Sequence, residues 1–450
     1  MTETLQRSRS ALPIQVLISP FVRFAEMEAA GSIVLLAATV VAMIWANSPW
    51  EHAYHEFWRA QLPVGFGRVF LSETRQQWID DGLMSIFFFL VGLEIKREVL
   101  IGELSSLKQA AFPFLAAIGG SLIPALIYIF VTHGTDAQQG WGIPIATDIA
   151  FALGVLTLLG DRVPVSLKVF VTALAIVDDI LAVLVIAIFY TTNIHFVGIA
   201  AAACGVALAI AINLLGVRNP LIYAAIGVFV WLAVLKSGLH ATLAGVLLAF
   251  TIPARTYLDR DFFIARCRAV LDICASAPEN SFESHAAVHT LETKCKLMES
   301  PLHRIEHYLQ PWVSFLVMPL FAFANAGVRV LGHGASAFTD RVSLGVALGL
   351  LVGKPLGICL FAWISSKSQL AITPSDLPWK MTFGASCLCG IGFTMSLFMA
   401  ALAFGEGPSL EMSKIGILFS SFLAGVGGSC FLIQRSSSVG LDNSVQSRAA

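Results

Sequence analysis

The sequence predicts an all-α polytopic membrane protein, and three observations lead there. The chain of 450 residues is 57% hydrophobic and only 13% charged, where a soluble globular protein carries roughly 25% charged residues. Its mean hydropathy is +0.79. Its apolar stretches repeatedly reach the roughly 20 residues that a spanning helix needs. These runs are continuous, not alternating, which excludes a transmembrane β-barrel. The net charge of −1 and the lack of a basic patch give no footing for nucleic acid.

Twelve candidate spans follow in order: 25–47, 78–95, 110–131, 143–159, 165–190, 196–214, 219–235, 237–253, 308–328, 342–364, 380–403 and 411–433. The first long apolar run begins at Ala29 with no separate signal-peptide core before it, so it reads as a retained span. The spans near 143, 219 and 237 are short for a straight crossing and need protein neighbours. Residues 1–24 read as a cytoplasmic N-terminal segment and 25–435 as the transmembrane domain. Residues 48–77, with Pro49, Pro63, Gly65 and Gly67, form an external connection, either a hairpin or a small interface element. Residues 254–307 form the one large polar insert, with a short amphipathic helix expected over 265–276. The Ser-rich tail, 436–450, reads as disordered.

Positive charge sets the orientation. With the N-terminus inside, the inside segments hold 20 Lys and Arg and the outside segments six. Lys354 and Lys414 lie within spans. Both termini are therefore expected in the cytoplasm, as an even number of spans requires.

Two spans carry helix-breaking chemistry. Gly140-Trp141-Gly142-Ile143-Pro144-Ile145-Ala146-Thr147-Asp148 combines Gly, Pro and an acid, and Gly384 with Gly390-Ile391-Gly392-Phe393-Thr394 does similar work later. Freed backbone groups at membrane depth are tolerated only where protein or water satisfies them. Each broken span is the middle member of a triplet, 110–190 and 342–433, which points to an inverted-repeat transporter with a site near the midplane.

Asp178 and Asp179 sit side by side in an apolar run that holds no other charge after Lys168. An acid inside the membrane is costly and marks a functional site. Two adjacent acids hinder each other's ionisation. On a helix they point about 100° apart, which suits one to a water-filled funnel and the other to the bundle. Carboxylates are ligands for hard cations, so protons and a metal cation can compete here. Thr147 offers a further oxygen, and Asp148 can neutralise positive helix ends. Lys354 is the only basic residue of its span and needs a partner, either Asp178 or Asp148. His240 is either a structural hydrogen-bonding residue or a pH sensor. Glu94, Lys96, Arg97 and Glu98 are either a solvated helix end or a cytoplasmic charge network with Glu306 and His307. Asp81 either lines an outward path or is a simple helix-end charge. His285, His289 and Cys295 lack a specific metal-binding spacing. No P-loop, nucleotide-binding signature or nucleophile elbow occurs, so neither an enzyme nor an ATP-driven pump is indicated, and no cofactor is expected.

These residues resemble the NhaA-type bacterial Na+/H+ antiporter family. The resemblance is carried by Ala146-Thr147-Asp148-Ile149-Ala150-Phe151-Ala152-Leu153-Gly154, by Ala173-Leu174-Ala175-Ile176-Val177-Asp178-Asp179 and by Leu235-Lys236-Ser237-Gly238-Leu239-His240-Ala241-Thr242. It extends to Met318-Pro319-Leu320-Phe321-Ala322-Phe323-Ala324-Asn325-Ala326-Gly327, to Gly353-Lys354-Pro355-Leu356-Gly357 and to the stretch from Asp81-Gly82-Leu83-Met84 to Glu94-Ile95-Lys96-Arg97-Glu98. It covers about residues 20–435.

The resemblance implies an electrogenic exchanger of the bacterial inner membrane that expels Na+ or Li+ and admits H+, working by alternating access in sodium and pH homeostasis. It implies that Asp178 and Asp179 carry cation and proton, that Asp178 pairs with Lys354 in one state, and that Thr147 and Asp148 support two crossing broken helices. His240, Glu94 and Glu306 fall where the family responds to pH. Segment 48–77 matches its dimer-contact hairpin and so implies a homodimer. The insert 254–307 departs from the family pattern, in which this connection is short.

Overall fold

A computed structural model describes residues 29–449, apart from 67–68, 192–193, 218, 331–335, 369–377 and most of 255–299. The N-terminal segment 1–24 lies outside the described residues. Nearly all of the described chain is helical, with one two-stranded sheet. By length and composition, six described helices can cross a membrane, or eight when each bent pair counts as one span. Two shorter apolar helices, Pro220–Leu235 and Thr242–Thr251, occupy the stretches read as short spans. Large apolar side chains stand exposed along these helices, among them Ile44, Phe130, Val197 and Leu214. Such a surface is stable against hydrocarbon and not against water.

The chain divides into two compact units. The first comprises Met1–Phe57, Ala111–Asp178 and Met318–Ala450 and contains both broken spans. In the first broken span, a 3-10 stretch, Asp136–Ile145, contains Pro144 and ends in extended backbone at Ala146. Helix resumes at Ile149–Leu158 after Asp148 caps it. In the second, Trp379–Leu388 and Phe393–Phe404 meet at a 48° bend. The break falls at Gly390-Ile391-Gly392, as the glycines predict.

Close packing in this unit depends on a row of glycines. Gly349, Gly353 and Gly357 recur every four residues, so they share one helix face. A Cβ on Gly349 would stand 2.7 Å from Pro144 Cβ, and one on Gly353 would stand 2.8 Å from Pro124 Cα. Gly357 and Gly119 meet backbone to backbone, each leaving no room for a side chain on the other. In a membrane, where apolar burial does not drive helices together, such small-residue faces let backbones approach. The stretch Gly349–Gly353 is a π-turn leading directly into the helix Lys354–Lys367.

The second unit comprises Trp58–Ala110 and Asp179–Val317. Here Gln61–Phe66 and Val69–Thr74 pair antiparallel, Gln61 opposite Thr74 and Phe66 opposite Val69. Of the two readings of segment 48–77, the structure contains the hairpin, preceded by an amphipathic helix Glu51–Arg59 that the sequence reading did not place. Trp78 Nε1 donates to the Leu62 carbonyl at 3.0 Å and ties the hairpin to the start of the next helical segment. Helix Met84–Leu100 packs on Thr242–Thr251 through glycine contacts, with Gly245 against the Ser85 carbonyl and Gly92 against Val246 and Ala249.

Two boundaries differ from the sequence reading. The helix Pro301–Trp312 starts inside the stretch taken as insert, because Ser300 accepts from the His303 N–H at 3.2 Å and Pro301 sits at the first helical position. That is a favourable start for any helix, whatever its polarity. The last helix runs Pro408–Ala449, carrying helical backbone beyond Arg435 into the segment read as a disordered tail. Within the insert, residues 267–272 are helical; the remainder of the helix expected over 265–276 lies outside the described residues.

Candidate functional site

The first unit gathers its polar side chains where the two broken spans cross. Each break leaves N–H and C=O groups without helical partners, and each supplies what the other lacks. The Asp148 N–H donates to the Ile391 carbonyl at 2.7 Å. Ser396 Oγ donates to the Ile143 carbonyl at 2.8 Å. The Phe393 N–H donates to Ser421 Oγ at 3.1 Å. Backbone that hydrocarbon would not tolerate is thereby satisfied within protein.

Asp148, 1% exposed, joins two helix starts with one carboxylate. Oδ1 accepts from the Phe151 N–H at 3.0 Å, capping its own helix. Oδ2 accepts from the Thr394 N–H at 3.0 Å and from the Thr394 hydroxyl, at the start of the other half-helix. Both ends carry partial positive charge, and the carboxylate offsets both. Thr394 was not singled out as its partner; the available signal was a hydroxyl two residues after the Gly390-Ile391-Gly392 break.

Lys354 is fully buried, so it does not snorkel to an interface. Of its two expected partners it takes Asp178, with Nζ 2.6 Å from Oδ2 and both side chains at 0% exposure. It also donates to the Ile145 carbonyl, at the end of the first 3-10 stretch. A cation suits the negative end of a helical segment as an anion suits the positive end. Thr147 Oγ1 lies 2.7 Å from Asp178 Oδ2 and 3.1 Å from the Cys389 carbonyl. Lys354, Asp178 and Thr147 thus form one bonded group reaching both breaks through the Ile145 and Cys389 carbonyls, and Asp148, next to Thr147 in the chain, forms a second with Thr394. Asp179 follows Asp178 on the continuous helix Val165–Phe189 and is 2% exposed.

The second unit holds the remaining candidates. Arg97 forms an ion pair with Glu306, which is 4% exposed, and a second with Glu98 at 3.0 Å. Glu94 interacts electrostatically with Arg97, Glu98 and Glu306. Of the two readings for these charges, the network is the one the structure contains. Its histidine is His303, 3.7 Å from Glu306 Oε2, and not His307, whose ring lies tilted 6.4 Å from that of Tyr308. The helix beginning at Pro301 explains the substitution, since it puts His303 and Glu306 three residues apart on one face. Lys96 donates to the carbonyls of Phe250 and Ile252 at 2.7 and 2.5 Å. His240 Nε2 lies 2.7 Å from the Tyr190 carbonyl. Asp81 sits half-buried in the π-turn Trp78–Leu83, and its carbonyl accepts from Trp231 Nε1 at 3.0 Å. His285 and Cys295 lie outside the described residues, and among the described residues no cluster of three His, Cys, Asp or Glu side chains could hold a resident metal.

The family model described as Na+/H+ antiporter 1 matches residues 22–432. The Na+/H+ antiporter NhaA of Koribacter versatilis is 63% identical over 430 residues, covering 96% of this chain and 94% of that protein. The NhaA of Oleidesulfovibrio alaskensis is 48% identical over 92% of this chain and 94% of its own length. That of Helicobacter pylori strain 26695 is 45% identical over 91% and 94%.

Proposed function

This chain belongs to the Na+/H+ antiporter family of secondary transporters, and on that premise we propose that it exchanges cytoplasmic Na+ or Li+ for external H+ electrogenically. The observation that carries this reading is the Asp178 carboxylate, fully buried and held by the Lys354 ammonium and the Thr147 hydroxyl where two broken helices cross. A buried charge must be compensated, and inside a membrane such compensated acids mark ion pathways. An arriving Na+ displaces the ammonium from the oxygen it needs, and a returning proton removes the charge that held Na+.

Asp178 and Asp179 carry the cargo. Cytoplasmic Na+ displaces protons from the pair, the loaded site opens outward by alternating access, Na+ leaves, and protons reload both carboxylates. Reloading both moves more protons than cations per cycle, so the exchange carries net charge. Coupled acids titrate as a pair. Thr147, Asp148 and Lys354 hold the site and balance its charge. Asp81 lies on the outward pathway. The cluster of Glu94, Arg97 and Glu306, together with His240, adjusts activity to pH. The span triplets 110–190 and 342–433 are inverted repeats, segment 48–77 is the contact of a homodimer, and both termini face the cytoplasm of a bacterial inner membrane.

The test is cation-induced collapse of a respiration-driven pH gradient in inside-out vesicles. Collapse by Na+ or Li+ that vanishes in Asp178→Asn and Asp179→Asn supports the reading. A folded wild-type protein that collapses no gradient at any pH, or full exchange by Asp179→Asn, overturns it.

A further inference from the structure

Resting on the site just proposed, we infer that Ser121 is a further oxygen ligand of the transported cation, acting with the second carboxylate oxygen of Asp178. Ser121 lies in the helix Leu107–Val131 and is 9% exposed. Its hydroxyl lies beside the Asp178 carboxylate without meeting it in a well-formed hydrogen bond. Among the described residues, Ser121 Oγ and Asp178 Oδ1 are both buried oxygens without a hydrogen-bond partner.

That state is unusual for this chain. Among the described residues Ser365 shares it, but other helical hydroxyls bond the carbonyl one turn back: Thr39 to Leu35, Thr132 to Tyr128, Thr172 to Lys168, Thr191 to Ala187, Ser420 to Gly416 and Ser429 to Gly425. This is the ordinary resting place of a serine or threonine in an apolar helix. Ser121 forgoes it and keeps its hydroxyl on the carboxylate side. A buried polar group left unpaired is destabilising, which makes a ligand the natural counterpart.

Packing explains how the hydroxyl gets there. Gly119 meets Gly357 backbone to backbone, and a Cβ on Gly120 would contact Ile358 and stand 3.9 Å from Lys354 Cδ. The glycine pair lets this helix settle on the lysine-bearing helix, and the residue after the pair arrives at the Lys354–Asp178 contact. Hard cations collect oxygens. Oδ2 is taken by Lys354 and Thr147, so Oδ1 and Ser121 Oγ form the face where a small alkali cation first gains two oxygens while the ammonium is still in place.

The experiment measures Na+ dependence of exchange in vesicles, with thermal unfolding of the purified protein with and without Na+. Ser121→Ala is expected to raise the KM for Na+ by about tenfold, the loss typical of removing one supporting group from a metal site, with kcat little changed. Without Na+ it should unfold at or above the wild-type temperature, since it loses an unpaired hydroxyl, and Na+ should raise that temperature less. Ser121→Thr keeps the hydroxyl and should restore the wild-type KM. Ser121→Cys keeps the volume, offers a poor Na+ ligand and should behave as Ser121→Ala, which covers the case of an alanine variant that does not fold. A wild-type KM in Ser121→Ala or Ser121→Cys, or a fall in kcat alone, overturns the inference. Failure of the transport reading is distinct, because it appears in the wild type as absent exchange.

Discussion

Lys354 Nζ stands 2.6 Å from Asp178 Oδ2, and neither side chain reaches the surface. An ion pair so placed adds little net stability compared with apolar residues, but removing one partner strands a charge in a low-dielectric interior. Lys354→Ala should therefore destabilise the protein by about 3–5 kcal/mol. Thermal unfolding in detergent reads this out. Combining it with Asp178→Asn should cost less than the sum of the two single changes, and strict additivity would argue against the pair.

Asp148 caps two helices with one carboxylate, so its loss should be felt twice. Asp148→Ala should cost about 1–2 kcal/mol for each cap lost. Asp148→Asn keeps an acceptor oxygen and should cost less. Unfolding measurements on both variants order them, and equal costs would contradict the double cap.

Protons and Na+ compete for the same carboxylates in the proposed cycle. Lowering the pH should raise the KM for Na+ with kcat largely unchanged over that range. Initial rates in vesicles at several Na+ concentrations and pH values test this. A KM that does not move with pH would separate the two cargo sites.

Glu306 is nearly buried and its ionic partner is Arg97. Arg97→Ala should cost about 1–3 kcal/mol by leaving that carboxylate uncompensated, less than a fully buried pair because Arg97 is 31% exposed and screened by solvent. Arg97→Ala combined with Glu306→Gln should recover much of the loss, since it removes the stranded charge. The double variant should also show an altered pH profile of exchange while retaining its KM for Na+ at the optimum.

Gly357 and Gly119 touch through their backbones. Gly357→Ala should destabilise by about 1–3 kcal/mol, the usual cost of overpacking. It should also lower exchange, because separating these helices moves Lys354 away from Asp178. Unfolding and transport measured on one preparation give both effects, and wild-type behaviour in both would show that the contact is not tight.

Much of the architecture is legible along the chain because hydrocarbon is a strict solvent. Apolar runs of spanning length, the charge bias between inside and outside segments, and Gly and Pro within two spans need no tertiary information. Acids and a lysine buried in apolar runs identify themselves by their cost. Helix starts inside polar sequence are harder to place, as Pro301 shows, because a capping serine acts on the backbone whatever the polarity beyond it. His303 takes the position offered to His307 for the same reason.

Sequence alone determined the membrane class, the positions of both breaks, and the group Thr147, Asp148, Asp178, Asp179 and Lys354 as the residues to watch. Each follows from the free energy of one residue type in one solvent, which is a local property. Tertiary structure decided which partner each residue takes: Lys354 on Asp178 and not Asp148, Asp148 across to Thr394, Ser121 onto the carboxylate. Those choices depend on how closely helices distant in sequence approach, and the glycines at 119, 349, 353 and 357 set that distance only when paired with the surfaces they meet.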